Sequence, residues 1–483
     1  MGLPGILLAL GVLMWLSFRG WSVLLLAPAA ALLVAAFSAE PLLAHWTHTF
    51  MGSAAGFVAQ FFPLFLLGAL FGKLMEDSGS VAAIARFMTA KLGAQRAVLA
   101  VVLAGALVTY GGVSLFVAFF VIGPMAMALF QAADIPRRLM PAAIALGTTT
   151  FTMTAMPGTP AIQNAIPMPF FGTTPFAAPG LGLIGSAIML AFGLAWLSYA
   201  QAGARRRGEG FGGGATATSR VTDDPLLRER ATTASTFDPP EASRGRPATQ
   251  EPGFAVAFAP LVVVVAVNLV MSFVVLPRAD MSFLEQERWG GLSLAGASGV
   301  WSVIVALICA IGALLLLNRG RLAAVRESMD AGANAAVLPV LSVASLVGFG
   351  AVVAAMPAFE LVRDWVLSIQ GGLLVSLALS TNILAALTGS ASGGMTIALD
   401  ALGATYLALA DAQGLDPAVL HRVAAMAAGT LDSLPHNGAI VTLLAVCGST
   451  HKDSYFHLAM AAIVGPIVAL VAVIVLGSLF GSF

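Results

Sequence analysis

Residues 429–439 bring Asp432, Ser433, Pro435, His436, Asn437 and Gly438 together inside a long apolar run. Pro435 removes a backbone donor and Gly438 accepts unwound geometry, so a helix is expected to break there. Hydrocarbon does not tolerate bare backbone, so such a break implies surrounding protein or a wet cavity. Residues 148–164 repeat the pattern with Thr154, Pro157, Gly158, Thr159, Gln163 and Asn164. Two interrupted apolar segments in corresponding halves point to a transporter's binding site at membrane depth. His436 is read as the only histidine deep inside a span. Its unperturbed pKa of about 6.5 suits a proton carrier, and it would serve equally as a fixed hydrogen-bond donor. Asp432 lies four residues before His436, so the two could share a helix face up to the break. Asp432 and Asp400 are the carboxylates of the apolar segments, where acids mark ion or proton paths. A paired, non-titrating Asp432 and an Asp400 that only steadies its helix are the competing readings. No lysine or arginine is read deep inside a span, which leaves half-helix N-termini and neutral donors to meet an anion. Those N-termini are the N–H groups of Asn437, Gly438 and Ala439 after Pro435, and of Thr159, Ala161 and Ile162 after Pro157.

The elements that must carry these groups follow from composition. The 483 residues are 59% hydrophobic and 10% charged, with a mean hydropathy of +0.94. Soluble domains carry about 25% charged residues, so this chain belongs in lipid. At about 20 residues per span, ten or so spans fit. Zero net charge offers nothing for nucleic acid, and neither the two cysteines nor any other spacing calls for a metal or cofactor. Spans are expected over residues 3–18, 21–37, 57–75, 181–199, 254–276, 295–317, 337–356 and 458–480. Residues 40–56 read as an interfacial stretch, 78–92 as an amphipathic helix on the membrane surface, and 319–334 as a short basic amphipathic piece. Residues 96–108 are too short to cross a core of about 30 Å. They lead to a glycine-hydroxyl tip (Thr109, Gly111, Gly112, Ser114) and a return arm, which suggests a re-entrant hairpin. Residues 371–410 do the same around a tip of Thr388, Ser390, Ser392 and Gly393. Small residues at both tips also suit close helix packing.

The fold expected is an all-α polytopic membrane protein of two inverted-topology repeats. Each repeat has a re-entrant hairpin and a broken transmembrane helix, with scaffold helices around them. Residues 1–200 form the first half (hairpin 96–132, broken helix 139–170) and 253–483 the second (hairpin 371–410, broken helix 420–447). Residues 201–252, rich in Gly, Ser, Thr, Pro and Arg, are expected to be a flexible cytoplasmic linker. The halves align at an offset of roughly 280 residues, a repeat of the kind many transporters carry. Asp134-Ile135-Pro136 then pairs with Asp416-Pro417, and Pro157 with Pro435. With the linker inside, 19 of the 23 lysines and arginines fall on the cytoplasmic face, leaving Arg278, Arg288, Arg363 and Arg422 outside. That topology brings the two hairpins in from opposite sides.

The motifs Thr388-Gly389-Ser390-Ala391, 432–439 and Pro157-Gly158-Thr159-Pro160 resemble those of the gluconate permease (GntP) family of the ion transporter superfamily, over nearly all the chain except the linker. The resemblance implies proton-coupled uptake of a small hydroxy-carboxylate across the bacterial inner membrane, often by a dimer. Residues 157–164 look closer to the hydroxybutyrate permeases of that family, since the histidine that gluconate members carry beside these prolines is missing. The tips and breaks are then expected to enclose one site for the acid, with Asp432, His436 and Asp400 handling the proton. Sodium held at the hairpin tips is the alternative coupling. A channel would need rings of polar groups along a continuous pore. An intramembrane hydrolase built on Asp432, Ser433 and His436 lacks the G-x-S-x-G elbow.

Overall fold

The computed structural model describes residues 2–18, 21–212, 248, 250–286, 288, 294–369, 371–435 and 437–483. Most of the linker and His436 lie outside them. Among the described residues the secondary structure is helical throughout, without strands. Among these residues seven helices are long and apolar enough to cross a membrane, or eight counting one bent pair.

Two apolar helices open the chain, α1 (Gly2–Phe18) and α2 (Val23–Phe37). The next, α3 (Leu42–Asp77), takes in most of residues 40–56, which continue into the span through a π-turn at His45–Phe50. The extra residue of a π-turn lets polar His45, Thr47 and His48 stay helical without ending the span. Helix α4 (Ser80–Leu92) meets α5 (Ala97–Tyr110) at 103°. The return arm is α6 (Leu115–Ala132).

The first broken helix has its leading half in α7 (Met140–Thr148) and then fragments into α8 (Phe151–Thr154), α9 (Ile162–Ala165) and α10 (Pro167–Phe171). A long span, α11 (Pro179–Arg206), closes the half. The linker therefore starts later than its composition suggests, and its first residues fold back on the bundle. The Phe211 N–H donates to Asp134, and Glu209 bonds both Arg138 and Arg207.

The second half begins with α12 (Phe254–Val270) and α13 (Leu294–Leu317). Residues 319–334 and 337–356 are not two pieces, because α14 (Val325–Ala354) runs through both as one 30-residue helix. After α15 (Phe359–Leu367), the second hairpin pairs α16 (Leu373–Thr388) with α17 (Ala391–Gln413). Its turn is shorter than the composition indicates, since Ser392 and Gly393 already belong to the first turn of α17. The second broken helix comprises α18 (Pro417–Thr430) and α19 (Gly438–Val446), and α20 (His451–Phe480) ends the chain.

The core lies where the two halves meet. Every residue of α7 is buried, and so is every residue of α18 from Val419 to Thr430. Helices apolar on all sides belong in an interior. Small residues let these helices touch: a methyl group added at Gly147 would fall 2.3 Å from the Val102 carbonyl of α5.

Candidate functional site

Each hairpin tip is bonded to the broken helix of its own half. In the first half the turn needs Gly112, whose φ of +93° is unfavourable for any side chain. The Thr109 hydroxyl bonds the Gly105 carbonyl (2.9 Å), the Gly147 carbonyl (3.3 Å) and the Thr152 hydroxyl (3.1 Å). Tyr110 donates its hydroxyl to the Pro157 carbonyl at 2.8 Å, and Thr159 donates to the Tyr110 carbonyl at 3.4 Å. A carbonyl left bare by the missing helix turn is thus met by side chains of the tip.

In the second half Gly389 takes φ +61° at the turn. Asp432 Oδ1 accepts from the Ala391 N–H (2.9 Å), at the start of α17, and from Asn437 Nδ2 (2.8 Å). Asn437 also donates to the Gly389 carbonyl at 3.0 Å. The carbonyls of Ser433 and Pro435 are taken by Tyr455 Oη (3.1 Å) and His451 Nε2 (2.8 Å) at the start of α20.

The first tip and the first break line a cavity together. It holds about 110 Å³ and is walled by Thr109, Gly112 and Ser114 of the tip, Gln163 and Met153 of the break, and small residues of α3 and α14. No charged side chain lines it. The Gln163 side-chain oxygen is buried with no hydrogen-bond partner among the described residues, and the Ser114 hydroxyl makes no bond to them. An amide and a hydroxyl facing a small apolar chamber suit a polar guest with an apolar body.

Several expected ligands face elsewhere. Thr388 bonds back to the Leu384 carbonyl (2.8 Å), and Ser390 caps the Gly393 N–H (3.1 Å). Thr388, Ser390, Ser392, Gly393, Asn437 and Gly438 stand apart from this cavity, as do Gly111, Thr154, Pro157, Gly158 and Thr159. Of the four segments expected to enclose one site, this cavity brings together the first tip and the first break. The expected N-terminal anion cradles are also partly closed. Asn437 Oδ1 takes the Ala439 N–H (2.7 Å) and the Ile440 N–H (3.4 Å), while the Thr159 hydroxyl takes the Ala161 N–H (3.3 Å). An Asn or Thr just before a helix caps it intrinsically, and that local bond competes with any ligand.

Asn164 is a knot rather than a substrate ligand. It is fully buried, donates to the Thr159 and Pro175 carbonyls at 3.0 Å each, and accepts from His421 Nε2 (3.2 Å) and Arg422 Nη1 (3.1 Å). These last two partners correct the reading that His436 is the sole deep histidine and that no cation lies deep. His421 and Arg422 are both 0% exposed, one turn into α18. A polar His-Arg pair near a helix start reads from sequence as a membrane boundary. Here the fragments α8–α10 cover it and supply its hydrogen bonds. Lys73 is buried too, with Asp77 at 3.0 Å and Glu76 at 3.3 Å.

Asp400 points away from both tips. It lines a second cleft, of about 580 Å³, between α3, α13, α14 and α17, together with Ser53, Gln60, Trp301 and Thr396. No other acid or base lines this cleft. Asp400 makes no hydrogen bond or ion pair to a described residue.

A family model described as GntP family permease matches residues 3–170. The uncharacterized transporter YxjC of Bacillus subtilis (strain 168) is 43% identical over 458 residues, covering 93% of each chain. The high-affinity gluconate transporter of Escherichia coli (strain K12) is 32% identical over 143 residues, 28% of this chain and 31% of that one. Among solved structures, the Alcanivorax borkumensis YdaH transporter is similar with a TM-score of 0.47 and 15% identity, over 90% of this chain and 88% of that one.

Proposed function

The chain belongs to the GntP family of permeases, a multi-pass membrane protein for a small-molecule substrate, and from that premise we propose that it is a proton-coupled symporter of a small hydroxy-monocarboxylate. The observation that carries the substrate class is the chamber at the first tip, with Ser114 and Gln163 as its unengaged polar groups. At about 110 Å³ it favours an acid of about four carbons, such as 3-hydroxybutyrate, over six-carbon gluconate, since a cavity of about 150 Å³ is filled by benzene. Ser114 and Gln163 would donate to the carboxylate or hydroxyl, and the small residues of α3 and α14 would take the methyl end.

Coupling to protons rests on Asp400, an acid in an otherwise uncharged cleft at membrane depth. Asp432 and His436 are the further candidates, at the second break. The arrangement proposed is two inverted repeats, residues 1–200 and 253–483, in the inner membrane of a bacterium with the linker inside. The matched tip-to-break bonding in both halves supports that arrangement, and a homodimer is its proposed assembly.

Counterflow in proteoliposomes tests the reading. Labelled 3-hydroxybutyrate should enter against a preloaded unlabelled pool faster than gluconate, lactate or citrate, and an inward proton gradient should drive its accumulation. Accumulation driven only by sodium would move the coupling ion. Absence of counterflow with every acid would overturn the transporter's substrate class.

A further inference from the structure

Arg422 stands out as a fully buried guanidinium without an acid. Nε and Nη2 both donate to the Ala177 carbonyl (3.2 and 2.7 Å). Nη1 donates to the Thr154 carbonyl (3.2 Å) and to Asn164 Oδ1 (3.1 Å). Every acceptor is neutral, and no ion pair with a described residue involves Arg422. Lys73 and Arg138, by contrast, each have carboxylate partners. Carbonyl dipoles satisfy the donors of Arg422 but leave its unit charge uncancelled.

The position of that charge gives it a use. Thr154 and Asn164 are the immediate chain neighbours of Met153 and Gln163, which form the wall of the 110 Å³ chamber. The guanidinium therefore lies one residue behind a wall that holds no charge of its own. In a low-dielectric interior an unmatched charge acts across such a layer far more strongly than in water. Resting on the carboxylate reading above, we propose that Arg422 is a positioning residue that supplies the positive potential of the chamber, so that the bound anion completes its missing ion pair. It acts from behind the first break, while Ser114 and Gln163 make direct contact. The chamber would then take a carboxylate and reject the neutral amide or ester of the same acid.

The test compares wild type, Arg422→Gln and Arg422→Lys in counterflow, with folding checked by size-exclusion profile. Arg422→Gln should raise the KM for the acid about tenfold while Vmax changes little. Arg422→Lys keeps the charge and should hold KM near wild type at pH 6.5. A buried lysine sheds its proton where an arginine does not. The ratio of its KM to that of wild type should therefore climb as pH rises to about 9. The other titratable groups around the site, His421 on the same helix and Tyr110 at the end of α5, are common to all three proteins and cancel in that ratio. A folded Arg422→Gln with wild-type KM overturns the proposal, as does an equal KM shift in both variants, which would mark a purely structural fork. If Arg422→Gln does not fold, the lysine variant decides alone, and a flat KM ratio overturns the proposal. Counterflow failing in wild type itself would instead remove the carboxylate reading, and this inference with it.

Discussion

Asp400 and Asp432 are both acids of the apolar segments, and the structure surrounds them differently. Asp432 is engaged: its Oδ1 ties the start of α17 to the cap of α19 through the Ala391 N–H and Asn437. Losing a charged acceptor from such a pair costs about 1.5–3 kcal/mol per bond. Asp400 is unengaged and faces an open cleft. The expected outcome is a split between the two. Asp400→Asn should keep counterflow, which needs no proton gradient, and lose at least about tenfold of pH-driven accumulation, a cost of about 1.4 kcal/mol or more in coupling. Asp432→Ala should lower the melting temperature and every transport mode together. An Asp400→Asn protein that accumulates like wild type would take Asp400 out of the proton path.

At the scale of elements, the hairpins depend on close backbone approach. Gly394 lies in the first turn of α17 against α16, where an added methyl would sit 2.2 Å from the Ala385 nitrogen and 2.3 Å from its Cα. Those are backbone atoms, so the arms themselves must part. Gly394→Ala is expected to destabilise by about 1–3 kcal/mol. Gly52→Ala, whose added methyl meets nothing within 4 Å, is the matched control. Thermal unfolding in detergent should separate the two, and equal melting temperatures would refute the packing argument. The same geometry explains why tip composition alone misplaced the second turn. Ser390 caps α17 and pulls Ser392 and Gly393 into the helix, although their residue types suit a loop equally well.

Across the whole molecule, an arginine near the start of each broken helix reaches a carbonyl just before the closing span of the other half. Arg422 donates to Ala177, ahead of α11, and Arg137 donates to Cys447 at 2.7 Å, ahead of α20. The same kind of contact thus occurs once in each half, between residues that are not at corresponding positions of the sequence alignment. Orientation is testable directly. With Cys309 and Cys447 replaced, Arg278→Cys should react with an impermeant maleimide from outside intact cells and Arg206→Cys only after lysis, as the excess of inside lysine and arginine demands. The reverse pattern would invert the topology.

Apolar run lengths, prolines and glycines were legible in the residues themselves. They were enough for an all-helical membrane protein and for breaks near Pro157 and Pro435, because each is a local consequence of backbone chemistry. Residues 319–356 read as two pieces because charged side chains inside a helix look the same in sequence as a boundary, and Arg326, Glu327 and Asp330 stay exposed within α14. Tertiary packing alone decided which polar groups stay unsatisfied. Asn164, Thr159 and Asn437 are consumed by bonds within the breaks, Ser114 and Gln163 are left to a chamber, and Asp400 turns to a separate cleft. Arg422 shows the same most plainly. Its place at the start of a helix reads as a solvated end, and only the fragments folded over it from the other half make it a buried, unpaired charge.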